Sequence, residues 1–440
     1  MTTGDQSANR TTLGRSVSVP PVVDKVADLL ANSTVDPQAL SAFADDINAF
    51  VDSHTHELVA FRRRIHAHPE LSGQEVLTTE SLVSRLDVAG LTTTILASGT
   101  GLICDIDSVN GKGPIVALRA DIDALAMNDE SNTPYASTKP GVAHACGHDV
   151  HATVVLGAGL LLARLLQRPD APAGTVRLIF EPSEEDIPGG AIEVIDSGYL
   201  TNVDRVFGLH CDPKINVGLL GVTSGPITSA ADLVTLDITG PGGHTARPER
   251  TVDLVAVMAR AATEIPRMLV EATPDSPLRL VFGSVHSGDA PNVVPARGRL
   301  FGTLRTKDHD VWDKAPKLLE DAVERVLTST GATWSITHQR GVPPVINDEA
   351  ATSCMAGATA ALLGKDTLTA TDQSWGGDTF AWYLEEKPGS YARLGTHDPD
   401  SATLPLDLHA STFDVDESAI PLAVRVLVAT ALSTLLESDD

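Results

Sequence analysis

Apolar and polar positions along this chain follow two rhythms, one of period near 3.6 and one of short β-rich runs. From about Asp46 to Leu71, Phe50, Leu58 and Phe61 recur on one side of a helical repeat that Arg62, Arg63 and Arg64 interrupt. Ser81 to Leu91 reads as a second helix, and residues 151–167 as a strongly apolar third. Strand-like runs occupy Ile115–Leu118, Val176–Phe180 and Arg205–Leu209. Strands separated by helices predict an α/β fold, a mostly parallel sheet with helices on both faces.

Around Gly225 the rhythm changes. Leu233–Thr239, Leu278–His286, Arg297–Arg305 and Thr333–His338 read as strands, and Val252–Met268 and Asp310–Leu327 as helices. That is the β-α-β-β-α-β order of a ferredoxin-like α+β unit. It looks inserted, because α/β character resumes at about Val345 and runs to the end. The expected division is a tail and lead-in over 1–44, a first part of the main domain over 45–224, the inserted unit over 225–342, and a second part over 343–440. Within the lead-in, residues 1 to about 20 are rich in Thr, Ser, Asn, Gly and Asp and read as a mobile tail.

The strand ends bring in chemistry. Ligands of open α/β sheets gather beyond the carboxyl ends of the strands, where Asp121, Glu184, Glu185 and His210 each follow a predicted strand. Cys146-Gly-His148-Asp149-Val-His151 sets a thiol and an imidazole two residues apart across a glycine, so both can converge on one point. Taken alone, such a pair also fits a buried cysteine beside a hydrogen-bonded histidine, and His151, inside the first helical turn, reads as packing or support. In Glu184-Glu185, adjacent side chains on extended backbone point opposite ways. One carboxylate can then hold a cation while the other handles protons on water, Glu185 and Glu184 in the natural division; a solvated acidic turn is the alternative. His210 and His409 close apolar stretches and gain weight only from the set. The five candidates Cys146, His148, Glu185, His210 and His409 suit two divalent cations better than one tetrahedral site. In the inserted unit, His244 and Asn292 lie in turns and could donate to a carbonyl oxygen gaining charge, and Arg305, at a strand end, could form a bidentate pair with a carboxylate.

Composition narrows the partners. The 440 residues carry a formal charge of −26, which argues against nucleic acid and anionic membranes. Four dispersed cysteines form no disulfide framework, and no signal-type or bilayer-spanning apolar run is expected, so a reducing, cytoplasmic setting is the default.

At this point the chain resembles the aminoacylase and carboxypeptidase-G type metallopeptidases. It is most similar to the branch with hippurate hydrolase, auxin–amino-acid conjugate hydrolases and N-acyl amino acid amidohydrolases. Carrying stretches include Phe61-Arg-Arg-Arg-Ile-His-Ala-His-Pro-Glu70, Ala117-Leu-Arg-Ala-Asp-Ile-Asp-Ala-Leu125, His144-Ala-Cys-Gly-His-Asp-Val-His151, Ile179-Phe-Glu-Pro-Ser-Glu-Glu185, Gly242-Gly-His244 and Asn292-Val-Val-Pro295, in family order from about residue 55 to the end. The resemblance implies a di-metal domain interrupted by a dimerisation domain, with Cys146, His148, Glu185, His210 and His409 as ligands of two Zn²⁺, Mn²⁺ or Co²⁺ ions. It implies Glu184 as proton shuttle and His244 reaching into a partner's site with Asn292 assisting. It also implies Asp121 orienting a ligating histidine and Arg305 gripping the substrate carboxylate. Two departures bear on substrate preference: Gly376-Gly-Asp-Thr-Phe380 where relatives have Gly-Gly-Glu-Asp-Phe, and Arg247-Pro-Glu249-Arg250 after His244. The resulting expectation is a homodimeric amidohydrolase of N-acyl or aryl-acyl amino acids, with a dipeptidase or carboxypeptidase of the same fold as the alternative.

Overall fold

The computed structural model describes residues 25–400 and 407–437, so the expected mobile tail lies outside the described residues. Helices α1 (Lys25–Ala31) and α2 (Pro37–Ala67) open the chain. α2 starts earlier than its apolar repeat suggests because Asp36 caps it: the carboxylate accepts from the N–H groups of Gln38 and Ala39, and Pro37 presets the first turn. It stops before Leu71 because His68 precedes a proline and leaves the helical region.

There follow α3 (Val76–Val88), β1 (Thr93–Ile95), β2 (Leu102–Asp107), β3 (Ile115–Asp121), α4 (His148–Leu165), β4 (Thr175–Glu181), α5 (Ala191–Asp196), β5 (Arg205–Asn216) and β6 (Leu220–Val222). Next come β7 (Gly225–Pro226), β8 (Ala230–Thr239), β9 (Gly243–His244), α6 (Leu254–Ala272), β10 (Arg279–Ser287), β11 (Val293–Val294), β12 (Arg297–Thr306), α7 (His309–Leu327) and β13 (Thr333–Val342). The chain closes with β14 (Ile346–Asn347), α8 (Glu349–Leu363), β15 (Leu368–Ala370), α9 (Phe380–Glu386), β16 (Gly389–His397) and α10 (Ala419–Leu436).

Eight strands form one sheet in the order β1-β2-β4-β3-β5-β16-β6-β15. The central run β4-β3-β5-β16 is parallel, as is β6–β15, whereas β1–β2, β2–β4 and β16–β6 are antiparallel. One face packs against α2, α4, α8 and α10 in the largest apolar core, and α5 and α9 cover part of the other. α10, whose apolar run Arg425 interrupts, is long and apolar enough by length and composition to cross a bilayer, yet 78% of it is buried inside the protein, where it packs on α2, α4 and α8.

Four further strands make a separate antiparallel sheet, β10-β12-β8-β13, with α6 and α7 on one face and a core of their own. This order is that of a ferredoxin-like unit. Its two connections to the main sheet run side by side: β7 pairs with β14, and the Ile227 N–H donates to the Val345 carbonyl at 2.9 Å.

Candidate metal centre and active site

β3 and β4 end together, with Asp121 opposite Glu181, and the register of β3 with β5 sets His210 level with Asp121 on the neighbouring strand. After β4 the chain turns through Ser183, which holds a positive φ of 57°, and delivers Glu184 and Glu185 to the same crevice. Gly147 supplies the third approach. It is left-handed (φ 93°), and a Cβ there would stand 2.8 Å from the Cys211 Sγ, so glycine is required between Cys146 and His148 at the start of α4. His409 also has positive φ (62°), with its N–H tied to the Ala145 carbonyl at 2.8 Å. Strained backbone of this kind persists where the surroundings over-determine it.

Cys146, His148, Glu185, His210 and His409 come together. Ligand atoms of Cys146, His148 and His210 lie within 4.8 Å of one another, as do those of Cys146, Glu185 and His409, and those of His148, Glu184 and Glu185. The Cys146 thiol meets His210 Nε2 at 3.5 Å, and His409 Nε2 stands 3.3 Å from Glu185 Oε1. His210 donates its Nδ1–H to the Cys211 carbonyl at 2.7 Å, and burial holds its imidazole neutral, so Nε2 presents a lone pair to the cluster.

The hydrogen bonds behind the cluster divide between two aspartates. The Asp121 carboxylate takes Arg119 Nη1 and His151 Nδ1, both at 2.6 Å, and its Oδ2 stands 3.8 Å from His148 Nε2. Asp123 fixes the His148 ring: its Oδ1 and carbonyl meet His148 Nδ1 at 3.1 and 3.0 Å while Oδ2 accepts from Ser72 and the Glu185 N–H. The reason is register. Asp121 still belongs to β3 and sits beside Glu181, over the buried Arg119, which also binds Glu181 and Thr379. Asp123, past the strand end, is free to face α4. His151 uses both nitrogens, donating to Asp121 and accepting the Cys211 N–H at 2.9 Å, so it braces the site from behind.

Donor chemistry fits a cation pair. His148 Nε2 and Glu185 Oε1 are buried with no hydrogen-bond partner among the described residues. An unsatisfied buried polar atom costs about 1–3 kcal/mol, and a cation at the cluster would satisfy both. Burial pushes the Cys146 thiol well up, an effect that a bound cation opposes by favouring thiolate. Glu184 is held at Oε1 by the Thr379 N–H (3.1 Å), with Oε2 3.9 Å from His148 Nε2. Burial, then the charges of Asp378 and Glu185, raise its proton affinity well above that of an ordinary glutamate.

The cluster opens into a cavity of about 640 Å³ whose far wall comes from the inserted unit through Ala231, Arg305 and Val342. Arg305 donates to the Trp375 carbonyl at 2.9 Å. His244 and Asn292 are neighbours, on and just before the paired strands β9 and β11, but both are exposed and neither lines this cavity. Sequence reasoning passed over Asp123 and Arg393. The first stood in a quoted motif at a strand end; the second is a charge inside an otherwise buried strand, and that was its signal.

A doubly covered sheet with a cysteine, histidine and carboxylate cluster at its strand ends defines a metal-dependent hydrolase. The chain belongs to peptidase family M20/M25/M40, whose model matches residues 117–433. It is 35% identical over 385 residues to an N-acetyl-L-cysteine deacetylase of Bacillus subtilis, covering 87% of this chain and 89% of that protein. It is 41% identical over 376 residues to a putative glutamate–cysteine ligase of Rhodococcus jostii; that match takes in 85% of this chain but 46% of the relative, so the chain spans less than half of that protein's length. Among solved structures it resembles a dinuclear metal binding peptidase of Bacillus subtilis, with 31% identity and a TM-score of 0.73 over 87% of this chain and 99% of that one.

Proposed function

We propose that the protein hydrolyses the amide bond of N-acyl amino acids, using two divalent cations held by Cys146, His148, Glu185, His210 and His409. Glu184 carries this reading: a buried carboxylate beside the ligand cluster, fixed at one oxygen by Thr379 and with the other turned toward His148. The cations, when bound, supply Lewis acidity toward the substrate carbonyl and toward water. Glu184 removes a proton from the attacking water and returns it to the departing amine. Arg305 receives the carboxylate of the amino-acid half. His244 and Asn292, exposed in one chain, would act on the carbonyl oxygen of a second copy's site. The likeness to an N-acetyl-L-cysteine deacetylase supports this substrate class.

The test is metal content of the purified protein beside turnover of N-acetyl amino acids and of dipeptides, before and after chelation. About two metals per chain, with activity lost on chelation and regained with zinc, manganese or cobalt, is the expected result. Turnover of dipeptides alone would select the carboxypeptidase alternative, and turnover that survives complete metal removal would end the reading.

A further inference from the structure

We infer that the cavity holds a second anion subsite, Arg393 beside Arg305, and that the preferred substrate is an N-acyl amino acid bearing two carboxylates; this rests on the amidohydrolase reading above. Three cationic side chains line the cavity: Lys214, Arg305 and Arg393. Lys214 has an acidic neighbour, with its Nζ 3.8 Å from Asp407. Among the described residues neither arginine has a carboxylate oxygen within 4.0 Å, although Glu184, Glu185, Asp186, Asp212, Asp378 and Asp407 line the same cavity. Arg393 is 7% exposed and lies on β16 directly across from His210 on β5, so it shares the face of a ligand residue.

The two guanidinium groups reach the same loop from opposite bodies of the protein. Arg305 reaches from β12 of the inserted unit to the Trp375 carbonyl, and Arg393 from the main sheet to the Ser374 hydroxyl at 3.2 Å. Their anchors are adjacent residues of one loop, and both anchors are neutral. A guanidinium has five N–H donors in a fork suited to carboxylates, so each arginine keeps donors for a ligand. Burying a cation without a counter-charge is costly, and an anionic ligand would relieve that cost. One carboxylate, that of the amino acid itself, occupies one arginine; the second arginine calls for a second carboxylate. That group can belong to an acidic amino-acid side chain or to a diacid acyl group, and the chemistry recognised is the same.

The experiment uses the full-length, metal-loaded protein and measures kcat/KM on matched pairs. N-acetylglutamate against N-acetylglutamine tests the side-chain source, and N-succinylalanine against N-butyrylalanine tests the acyl source. Wild type should favour the dicarboxylate in one pair by at least about ten-fold, the scale of a charge-assisted contact. R393Q should lower turnover of that dicarboxylate far more than of its neutral counterpart, with partial recovery in R393K. No preference in either pair, or an equal fall on both members in R393Q, would overturn the inference while leaving the amidohydrolase reading intact. If no N-acyl amino acid is cleaved at all, the amidohydrolase reading falls, and calorimetric binding of glutarate against butyrate decides the subsite alone. Tighter glutarate binding that R393Q abolishes supports it; equal affinities sink it.

Discussion

Glu184 and Asp123 show how little separates a working group from a supporting one at the scale of a residue. Both are carboxylates beside His148; Asp123 engages the imidazole Nδ1–H, whereas Glu184 stands back at 3.9 Å with an oxygen to spare. Replacing Glu184 by Gln should leave metal content intact and lower kcat by a factor of ~10²–10⁴, the scale of a lost general base; undiminished turnover would remove it from the mechanism. Replacing Asp123 by Asn should instead weaken metal binding by about 10–100-fold, the usual effect of losing a partner that orients a ligand. A competition titration with a chromogenic chelator would measure it. If metal affinity were unchanged and only kcat fell, Asp123 would belong with Glu184. The adjacent Glu184-Glu185 pair was legible in sequence because it follows an apolar strand, whereas Asp121 and Asp123 look alike there. Which of them faces α4 depends on where β3 stops pairing with β4.

At the scale of elements, the site depends on two tight turns and on ties between distant segments. Gly147 → Ala would force a side chain at φ 93° and into Cys211, costing about 1–3 kcal/mol for the backbone alone. We expect a lowered melting temperature together with weaker metal binding, read by thermal unfolding with and without zinc. A stable variant with normal affinity would show that the start of α4 tolerates rearrangement. A second tie runs from α2: the buried Arg62 bonds Asp149, next to His148, at 2.6 Å, and Asp414, a few residues beyond His409, at 3.0 Å. R62M removes one partner of a buried ion-pair network, a loss on the order of 3–5 kcal/mol. It should appear as a large drop in the denaturation midpoint. The long apolar elements were legible from their periodicity, although α2 exceeded its pattern because capping at Asp36 lies outside any apolar count. Strands β1 and β2 were missed, being short, partly polar and at or near the sheet edge.

At the scale of the whole molecule, the cavity is built by two bodies with separate cores, and two proposed contributors, His244 and Asn292, stand outside it in the same chain. If they serve a second copy, inactive E184Q and H244A proteins should regain activity when mixed and allowed to exchange subunits. Only the hybrid holds one site with both Glu184 and His244 intact. No recovery, under conditions where hybrids are seen by native mass spectrometry, would place His244 in its own chain's site or outside catalysis. Sedimentation at micromolar concentration checks the association directly.

The sequence by itself determined what is local: the strand and helix rhythm, the β-α-β-β-α-β order of the inserted unit, and the histidine, cysteine and carboxylate residues placed at strand ends, because periodicity and nearest-neighbour chemistry are written along the chain. Only the tertiary structure decided what depends on adjacency between distant segments. β16 lies beside β5 although the whole inserted unit separates them in sequence, and this pairing sets Arg393 opposite His210. The same folding brings Thr379 to Glu184, Asp123 to His148, and the Ser374-Trp375 loop between two arginines. Such contacts arise when strand order and register are chosen by burial of the whole apolar surface, a global sum that no single stretch of sequence contains.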